Sequence, residues 1–131
     1  MKQRLSFAYF TLLSDNIVEV VVDEGVEMSL EMVEECHQFI EKYCPDDFAL
    51  LVNRVNQYDY SYEAKLTLAS YANLKAIAFV YYTPDGKETI NKLSKARSHD
   101  DWNMKTFAGL NMGWPDAFDW LQQELLVVCE K

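Results

Sequence analysis

Glycine and proline are scarce in this chain, with four glycines and three prolines among 131 residues. So few glycines cannot assemble a glycine-rich phosphate-binding loop. The sequence also has no internal repeats, no low-complexity tract and no linker, so we expect one domain spanning residues 1–131. A chain of this length buries roughly two-thirds of the surface that its unfolded form exposes, so its stability needs no disulfide.

Cysteine is equally rare, with three residues in the chain. Cys36 and Cys44 fall in or at the end of one predicted helix, where about 12 Å of rise separates them and prevents a disulfide. The sequence shows no signal-peptide pattern and no apolar run long enough to span a membrane. Together with the odd cysteine count, these features predict a reduced, cytoplasmic protein with no membrane span.

Positive charge is the third shortage, because 12 lysines and arginines face 21 aspartates and glutamates, for a net charge of −9. The acids are spread along the chain, and such a surface repels phosphate backbones and anionic bilayers. We therefore expect no nucleic-acid partner and no electrostatic membrane anchor. The alternative is a small basic patch, which could be built only from Lys92, Lys95 and Arg97.

The first half of the chain predicts a hairpin followed by a helix. Residues 6–13 and 17–22 are rich in β-branched and aromatic side chains and flank a short turn at residues 14–16. Ser29 can then cap a helix that ends before Pro45. Its predicted buried stripe is Val33, Cys36, Ile40 and Tyr43.

The second half alternates strands and helices. Two runs, residues 48–55 and 75–82, are apolar on both faces, which is typical of central parallel strands. Predicted helices cover residues 62–74, capped by Ser61, and 88–96 after a turn at residues 83–86. A strand at residues 103–107 and a last helix with Pro115 in its first turn complete the chain. The last helix has a predicted buried stripe of Phe118, Leu121, Leu125 and Val128, with Trp120 beside it as a core anchor.

These elements predict an α/β fold with a single mixed, mostly parallel sheet in the order β-β-α-β-α-β-α-β-α. If successive strands add in one direction with right-handed crossovers, all helices collect on one face of the sheet. The other face then needs a cover, either the N-terminal hairpin or a second subunit. We therefore expect a homodimer, with the hairpin as the alternative cover.

Three local features accompany this order: Glu24-Gly25 before the first helix, Lys105-Thr106-Phe107, and Ala117-Phe118-Asp119-Trp120-Leu121 near the end. In this respect the chain resembles the STAS or SpoIIAA-like family, and most of all its small bacterial single-domain members, which are related to CRAL-TRIO-like lipid-binding domains. The resemblance implies a SpoIIAA-like fold and a non-enzymatic role. That role is binding a partner protein, as anti-sigma factor antagonists do, or binding nucleotides or lipids.

In the phosphorylated members of that family, the regulated serine lies in an Asp-Ser pair at the start of the second helix. Ser61 occupies this place here. Tyr60 separates it from Asp59, no glycine follows, and Glu63 would repel a phosphate at this position. We therefore interpret Ser61 as a helix cap, with a regulatory phosphosite as the alternative.

Candidate catalytic and metal-binding groups are weak. His37 has Glu34 and Glu41 on the same side of its helix, a pattern more typical of a solvated helix face than of a metal site. Cys36 and His37 are sequence neighbours and point about 100° apart on a helix, so they do not form a nucleophile–base pair. A second group, His99-Asp100-Asp101, favours turn and capping roles. We expect no catalytic residue, no metal and no cofactor.

Aromatic side chains are a stronger lead. They cluster where strands give way to helices, and clefts form beyond the carboxyl ends of parallel strands. An apolar small molecule or lipid could bind in such a cleft. The alternative is that these rings pack half-exposed or fill a dimer contact. The candidate ligand-binding residues are Tyr58, Tyr60, Tyr62, Tyr82 and Trp102.

The sequence thus favours a regulatory or protein-interaction domain. A module that binds a small molecule or lipid is the alternative, and an enzyme comes third.

Overall fold

The structure is a computed structural model that describes residues 2–44, 46–67, 73–96 and 103–129. These residues form eight strands and four α-helices. In chain order the elements are β1 (Lys2–Arg4), β2 (Ala8–Ser14), β3 (Ile17–Val22), β4 (Glu27–Met28), α1 (Leu30–Tyr43), β5 (Phe48–Arg54), β6 (Asp59–Tyr60), α2 (Tyr62–Thr67), β7 (Leu74–Tyr81), α3 (Pro84–Ala96), β8 (Met104–Ala108), a 3-10 turn (Gly109–Asn111) and α4 (Gly113–Cys129).

Six strands form one sheet in the order β1-β2-β3-β5-β7-β8, and β4 pairs with β6 in a separate two-stranded sheet. The β1–β2 and β2–β3 pairs are antiparallel, whereas β3–β5, β5–β7 and β7–β8 are parallel. The prediction of a mixed, mostly parallel α/β sheet is therefore confirmed. The strands β1, β4 and β6 were not predicted, because segments of two or three residues are too short to show a period.

The local signals in the sequence explain most element ends. Ser29 caps α1 by accepting a hydrogen bond from the backbone N–H of Met32 at 3.4 Å. The hairpin turn is held by a 3.0 Å bond between Ser14 Oγ and Asn16 Oδ1. The predicted start of α3 at residue 88 was wrong, because the helix begins at Pro84. Proline suits a first helical turn, so residues 84–86 belong to the helix and not to a preceding turn.

One face of the sheet, here called the covered face, packs against α1, α2 and α3. Its core contains side chains from alternate sheet positions, such as Phe10, Val20, Leu50 and Phe79. The helices contribute apolar residues to the same cluster: Val33, Cys36, Phe39, Ile40, Ala64, Ile90 and Leu93. The strands from β3 to β8 add in one direction, and the helices that connect them share this face, as predicted.

The opposite face is covered by α4, so the prediction that all helices share one face was wrong. The helix α4 follows the last strand and is free to cross to the other side, because it connects no further strand of the sheet. Met112 has a left-handed backbone, with φ of 65°, where the chain reverses. Gly113 follows at a point where a Cβ would lie 2.4 Å from the carbonyl oxygen of Ala108. Only glycine fits there.

The buried side chains of α4 are Ala117, Leu121 and Leu125, while Phe118 and Trp120 are partly buried at the margin of the same cluster. Leu121 is thus the anchor of this helix, and Trp120 is not the buried anchor that we predicted. Val128 lies in α4, but its side chain is outside the described set, as is all of Pro45.

The helix α4 lies over β5, β7 and β8, and its cover therefore leaves the outer part of this face exposed. We call this part the open half-face. Tyr9 is 40% exposed on it, beside the half-buried side chains of Thr11, Glu19 and Val21. Alternation past the end of β5 gives Val55, which is 50% exposed, to the same side of the sheet. The two apolar central strands therefore need no second subunit to cover them. The surface that remains uncovered is a mixture of polar and apolar side chains.

Candidate functional site

The covered face contains a buried cation at the carboxyl end of a central strand. Arg54 is the last residue of β5, and alternation along the strand puts it on the same side as Leu50 and Val52. The sheet continues beneath it and α3 begins beside it, so only 4% of its surface is exposed. Charged side chains are almost never buried to this extent unless they are paired.

Two tyrosines hold the guanidinium. Arg54 donates from Nη2 to the backbone carbonyl of Tyr58 at 2.6 Å and from Nη1 to the hydroxyl of Tyr60 at 3.2 Å. Its Cζ atom lies 3.9 Å from the centroid of the Tyr58 ring, a cation–π contact. The two hydroxyls are 3.2 Å apart. These three residues, here called the Arg54 cluster, satisfy a cation with neutral groups.

Backbone contacts fix the loop that carries the two tyrosines. Tyr60 lies on β6, which pairs with β4 so that Tyr60 is opposite Met28. The N–H of Gly25 donates to the carbonyl of Gln57 at 2.7 Å, and the N–H of Gln57 donates to Glu24 Oε2 at 2.6 Å. Gly25 has a φ of 77°, which favours glycine. The Glu24-Gly25 pair that was noted in the sequence therefore clamps the Arg54 cluster.

The cluster carries an uncompensated charge within the described residues. Ion pairs among the described residues include Arg4–Asp23, Lys75–Asp47 and Lys92–Glu88, and none of these includes Arg54. Burial raises the pKa of both tyrosines, most strongly that of Tyr60. The phenols are thus neutral at pH 7 and do not act as counterions. Of the three guanidinium nitrogens, Nε is the one that has no hydrogen-bond partner among the described residues.

A second polar group lies on the other face of the sheet, at the border between α4 and the open half-face. Glu19 Oε2 accepts from the indole N–H of Trp114 at 2.6 Å and from the amide of Asn53 at 3.1 Å. Tyr82 donates its hydroxyl to Asn53 Oδ1 at 2.8 Å. We call these four residues the Glu19 network. It ties β3, β5, β7 and α4 together.

The Glu19 network is half-buried, and its electrostatics differ from those of the Arg54 cluster. Partial burial raises the pKa of Tyr82, and the charge of Glu19 adds to the rise, while the hydrogen bond to Asn53 opposes it. Trp114 stacks on Phe118 with ring centroids 5.7 Å apart and planes within 7°. The network therefore presents one carboxylate in a rigid aromatic frame.

Exposed apolar and cationic groups occur in the turn before Trp114 and around Tyr9. Leu110 and Met112, in the turn that leads to Trp114, are 81% and 69% exposed. Tyr9 lies under two cations, with Lys2 Nζ 4.5 Å and Arg4 Cζ 4.7 Å from its ring centroid. Arg4 also pairs with Asp23 through a 2.8 Å bond to Oδ1. The open half-face can therefore make apolar, cationic and hydrogen-bonded contacts together.

The structure does not bring the predicted aromatic residues together in one cleft. Tyr58 and Tyr60 are buried on the covered face, Tyr62 is 72% exposed on α2, and Tyr82 lies on the opposite face. Trp102 is outside the described residues. Tyr58 and Tyr60 line an apolar cavity of about 30 Å³, which has room for about one water and is far below the size of a ligand pocket.

Ser61 has the geometry of a cap. Its Oγ accepts from the backbone N–H of Ala64 at 3.2 Å, at the start of α2. The hydroxyl is therefore engaged with the helix, which is the arrangement expected of a structural role. Phosphorylation of Ser61 stays an untested prediction.

The other chemical candidates are separated or buried. Burial lowers the pKa of His37, and Glu41 and Glu34 partly offset this by raising it. Burial raises the pKa of the Cys36 thiol, so the thiol is not an activated nucleophile. Within the described ranges, no group of three His, Cys, Asp or Glu residues is placed to hold a metal ion. The group at residues 99–101 lies outside these ranges.

An open hollow of about 580 Å³ lies at the end of the strands away from Arg54, next to the turn between β2 and β3. Its described lining is mainly acidic and polar: Asp15, Asn16, Cys44, Asp46, Asp47, Asn73 and Leu125. The three aspartates of this lining repel anions.

Sequence reasoning missed the four residues that organise these sites: Arg54, Glu19, Asn53 and Trp114. Arg54 and Asn53 interrupt an apolar strand, and a charge in such a run is a signal that could have been used. The contact of Glu19 with Trp114 spans 95 positions of the chain, and no local pattern predicts it.

A scan against protein-family models, a search of curated proteins and a search of solved structures found no match to this chain. Among the helices in the described residues, none has the length and apolar character needed to cross a membrane.

Proposed function

We propose that this chain is a non-enzymatic regulatory domain that binds another protein through the open half-face. The observation that carries the proposal is the exposure of Tyr9, Val55 and Met112 beside the rigid Glu19 network. Exposed apolar groups around a few fixed polar groups are typical of interaction surfaces, in which aromatic residues are enriched.

The resemblance to the STAS or SpoIIAA-like family supports this proposal. Anti-sigma factor antagonists of that family act by contact with a protein and carry out no reaction. We extend to this chain the SpoIIAA-like topology, the cytoplasmic location and the regulatory role that the resemblance implies. Control by phosphorylation at Ser61 belongs to the same proposal.

A second copy of this chain is the partner that we propose first. Lys2, Thr11 and Glu19 lie in one row across β1, β2 and β3, so the open half-face carries both signs of charge. A two-fold axis through such a surface can bring Lys2 of one copy to Glu19 of the other. Self-association of this kind is expected to weaken as salt concentration rises.

The test compares two charge insertions at exposed apolar positions. Val55→Glu places a carboxylate on the open half-face, and Leu30→Glu places one on the first turn of α1, where the helix dipole favours it. Leu30 is 38% exposed, so both variants are expected to fold. Sedimentation equilibrium over a range of protein concentrations measures the mass of each.

We expect the parent and Leu30→Glu to form dimers and Val55→Glu to be a monomer. A parent that is monomeric at every concentration removes the homodimer. In that case, parent, Val55→Glu and Leu30→Glu are used to capture partners from a lysate of the native host. Partners retained by all three proteins would contradict the use of the open half-face.

A small-molecule module is the second candidate function. The cavity at Tyr58 and Tyr60 is too small for the apolar ligand that the sequence suggested. The buried charge of Arg54 instead favours a polar, anionic ligand, and it is the observation that keeps this candidate.

A further inference from the structure

Packing alone does not account for Arg54. Removing a cation from water costs several kcal/mol unless charges or hydrogen bonds of good geometry compensate for it. The Arg54 cluster supplies a carbonyl, a hydroxyl and an aromatic face, all neutral, and it leaves the buried Nε–H without a partner among the described residues. An anion is the group that would complete this arrangement.

The first turn of α3 lies beside this Nε–H. Thr83, just before the helix, accepts at Oγ1 from the N–H of Gly86 at 3.0 Å and from the side-chain amide of Gln57 at 3.1 Å. The helix runs for 13 residues, long enough for a substantial dipole, whose positive end is its N-terminus. These two donors are engaged by Thr83, and the positive end of the helix dipole lies on the side of Arg54 where Nε has no acceptor.

Gly86 lies close to the guanidinium. A Cβ at Gly86 would lie 3.9 Å from Arg54 Nε, 3.3 Å from Thr83 Oγ1 and 3.8 Å from Tyr81 Cβ. A side chain at position 86 would therefore be in contact with Nε, and glycine leaves this side of Nε without one. Lys87 lies near the same place, with its ammonium 5.5 Å from the centroid of the Tyr81 ring.

We propose that Arg54, at the N-terminus of α3, binds the oxyanion group of a small ligand, with one oxygen beside Gly86 and bonded to Arg54 Nε. Phosphate and carboxylate groups share this chemistry, because both present oxygens to N–H donors at helix N-termini. The site is distinct from the open half-face, because Arg54 points to the covered face. Either proposal can therefore fail without the other.

The charge of the whole chain limits the size of the ligand. A net charge of −9 repels polyanions, and the exposed carboxylate of Asp85 lies in the first turn of α3. A compact anion with one group to bury meets less of this repulsion than a nucleic acid does. We therefore infer a small phosphorylated or carboxylated metabolite and not a polymer.

The experiment follows the side-chain Nε–H of Arg54 by two-dimensional ¹⁵N NMR while sodium phosphate, sodium acetate or sodium chloride is added at matched ionic strength. A buried Nε–H exchanges slowly enough with water to be observed separately. We expect a saturating shift of this signal with phosphate, acetate or both, and none with chloride. The stronger of the two anions identifies the ligand class.

Three variants make the result specific. Gly86→Ala adds a methyl group 3.9 Å from Arg54 Nε, beside the proposed oxygen, and it favours the helix because alanine has the higher helix propensity. Binding should weaken roughly tenfold or more as the bond to Nε is lost, while the melting temperature is kept or raised. Arg54→Lys keeps the charge, lacks the Nε–H and should lose binding as well. Lys92→Gln removes a cation that is paired with Glu88 further along α3, and it should bind as the parent does.

For Gly86→Ala and Lys92→Gln, binding is measured on the Arg54 signal. For Arg54→Lys it is measured on the backbone N–H of Gly86. No saturating shift in the parent with either oxyanion overturns the proposal. So does equal affinity in the parent and Gly86→Ala, because the oxygen then does not lie beside Gly86. An equal loss in Lys92→Gln would show general charge screening and would also overturn it. If Arg54→Lys fails to fold, Gly86→Ala and Lys92→Gln still decide the matter.

Discussion

Each face of the sheet carries a charged side chain that neutral hydrogen-bond partners hold, and the two charges have opposite signs. On the covered face, Arg54 is only 4% exposed, beside the start of α3, and is held by neutral partners. On the other face, the carboxylate of Glu19 is half-buried, and its donors Trp114 and Asn53 are neutral too. In each case a charge is oriented by uncharged groups and keeps capacity for a further contact. The difference lies in access, because the Glu19 network borders an exposed surface and Arg54 is almost fully buried.

This difference follows from the number of helices on each face. The crossover helices α1, α2 and α3 all fall on one side because the strands from β3 to β8 add in one direction. The other side has α4 alone, and one helix cannot cover six strands. A chain of this topology therefore has one sealed face and one partly open face.

The largest expected effects compare the two cores. Phe79 on the covered face and Leu121 on α4 are both fully buried, at 0% exposure. We expect Phe79→Ala to lower the free energy of unfolding by about 4 kcal/mol and Leu121→Ala by about 3 kcal/mol. Urea denaturation measures both. Trp120→Ala is the matched control and should cost less than either, since its side chain is only partly buried. A larger loss for Trp120→Ala would show that α4 is anchored by its indole after all.

The next effect compares hydroxyl groups in the two polar sites. Tyr60→Phe removes the acceptor of Arg54 Nη1 in a dry environment and should cost about 2 kcal/mol. Tyr82→Phe removes a donor to Asn53 where water can replace it, and it should cost under about 1 kcal/mol. Equal losses, measured by urea denaturation, would show that the two sites do not differ in their access to water.

Alkaline pH should sharpen the same contrast. The pKa values of Tyr58 and Tyr60 are raised above 10 by burial, so the folded state keeps protons that the unfolded state loses. The stability that these tyrosines contribute is therefore fully present below pH 10 and falls as the pH rises above it. The double variant Tyr58→Phe, Tyr60→Phe should show a shallower decline in melting temperature above pH 10. An unchanged decline would contradict their burial as neutral phenols.

The smallest effect concerns the cap of α2. Ser61→Ala removes the acceptor for the N–H of Ala64 and should cost about 1 kcal/mol, while Ser61→Asp should melt as the parent does because aspartate also caps. Thermal melting measures both variants. If Ser61→Asp is equally stable but loses the dimer or a captured partner, Ser61 is a regulatory switch. Unchanged binding would leave it a structural cap.

Much of the fold could be predicted from the sequence because its long elements have clear periods. The hairpin, the capped helix α1 and the apolar strands β5 and β7 follow from local patterns at residues such as Ser29. The side of the sheet on which α4 packs could not be predicted in this way. It depends on the reversal at Met112 and on the close approach of Gly113 to Ala108, which only the folded chain shows.

The candidate sites were less predictable because their contacts are long-range. The tyrosines at positions 58 and 60 attracted attention as aromatic residues, but their shared partner is Arg54, and alternation along β5 decides which face that side chain takes. The Glu19 network joins three strands and a helix, and its members are ordinary residues in their local context. The residue types suggested a binding site, and the topology determined where these side chains lie.

One ¹⁵N NMR spectrum tests the central claim, that the two faces serve two kinds of contact, most directly. The Nε–H of Arg54 reports on the covered face, and the indole N–H of Trp114 reports on the open half-face. Raising the protein concentration should shift the Trp114 signal alone, and adding the preferred oxyanion at constant protein concentration should shift the Arg54 signal alone. Two signals that move together under both conditions, or that do not move under either, would contradict the account.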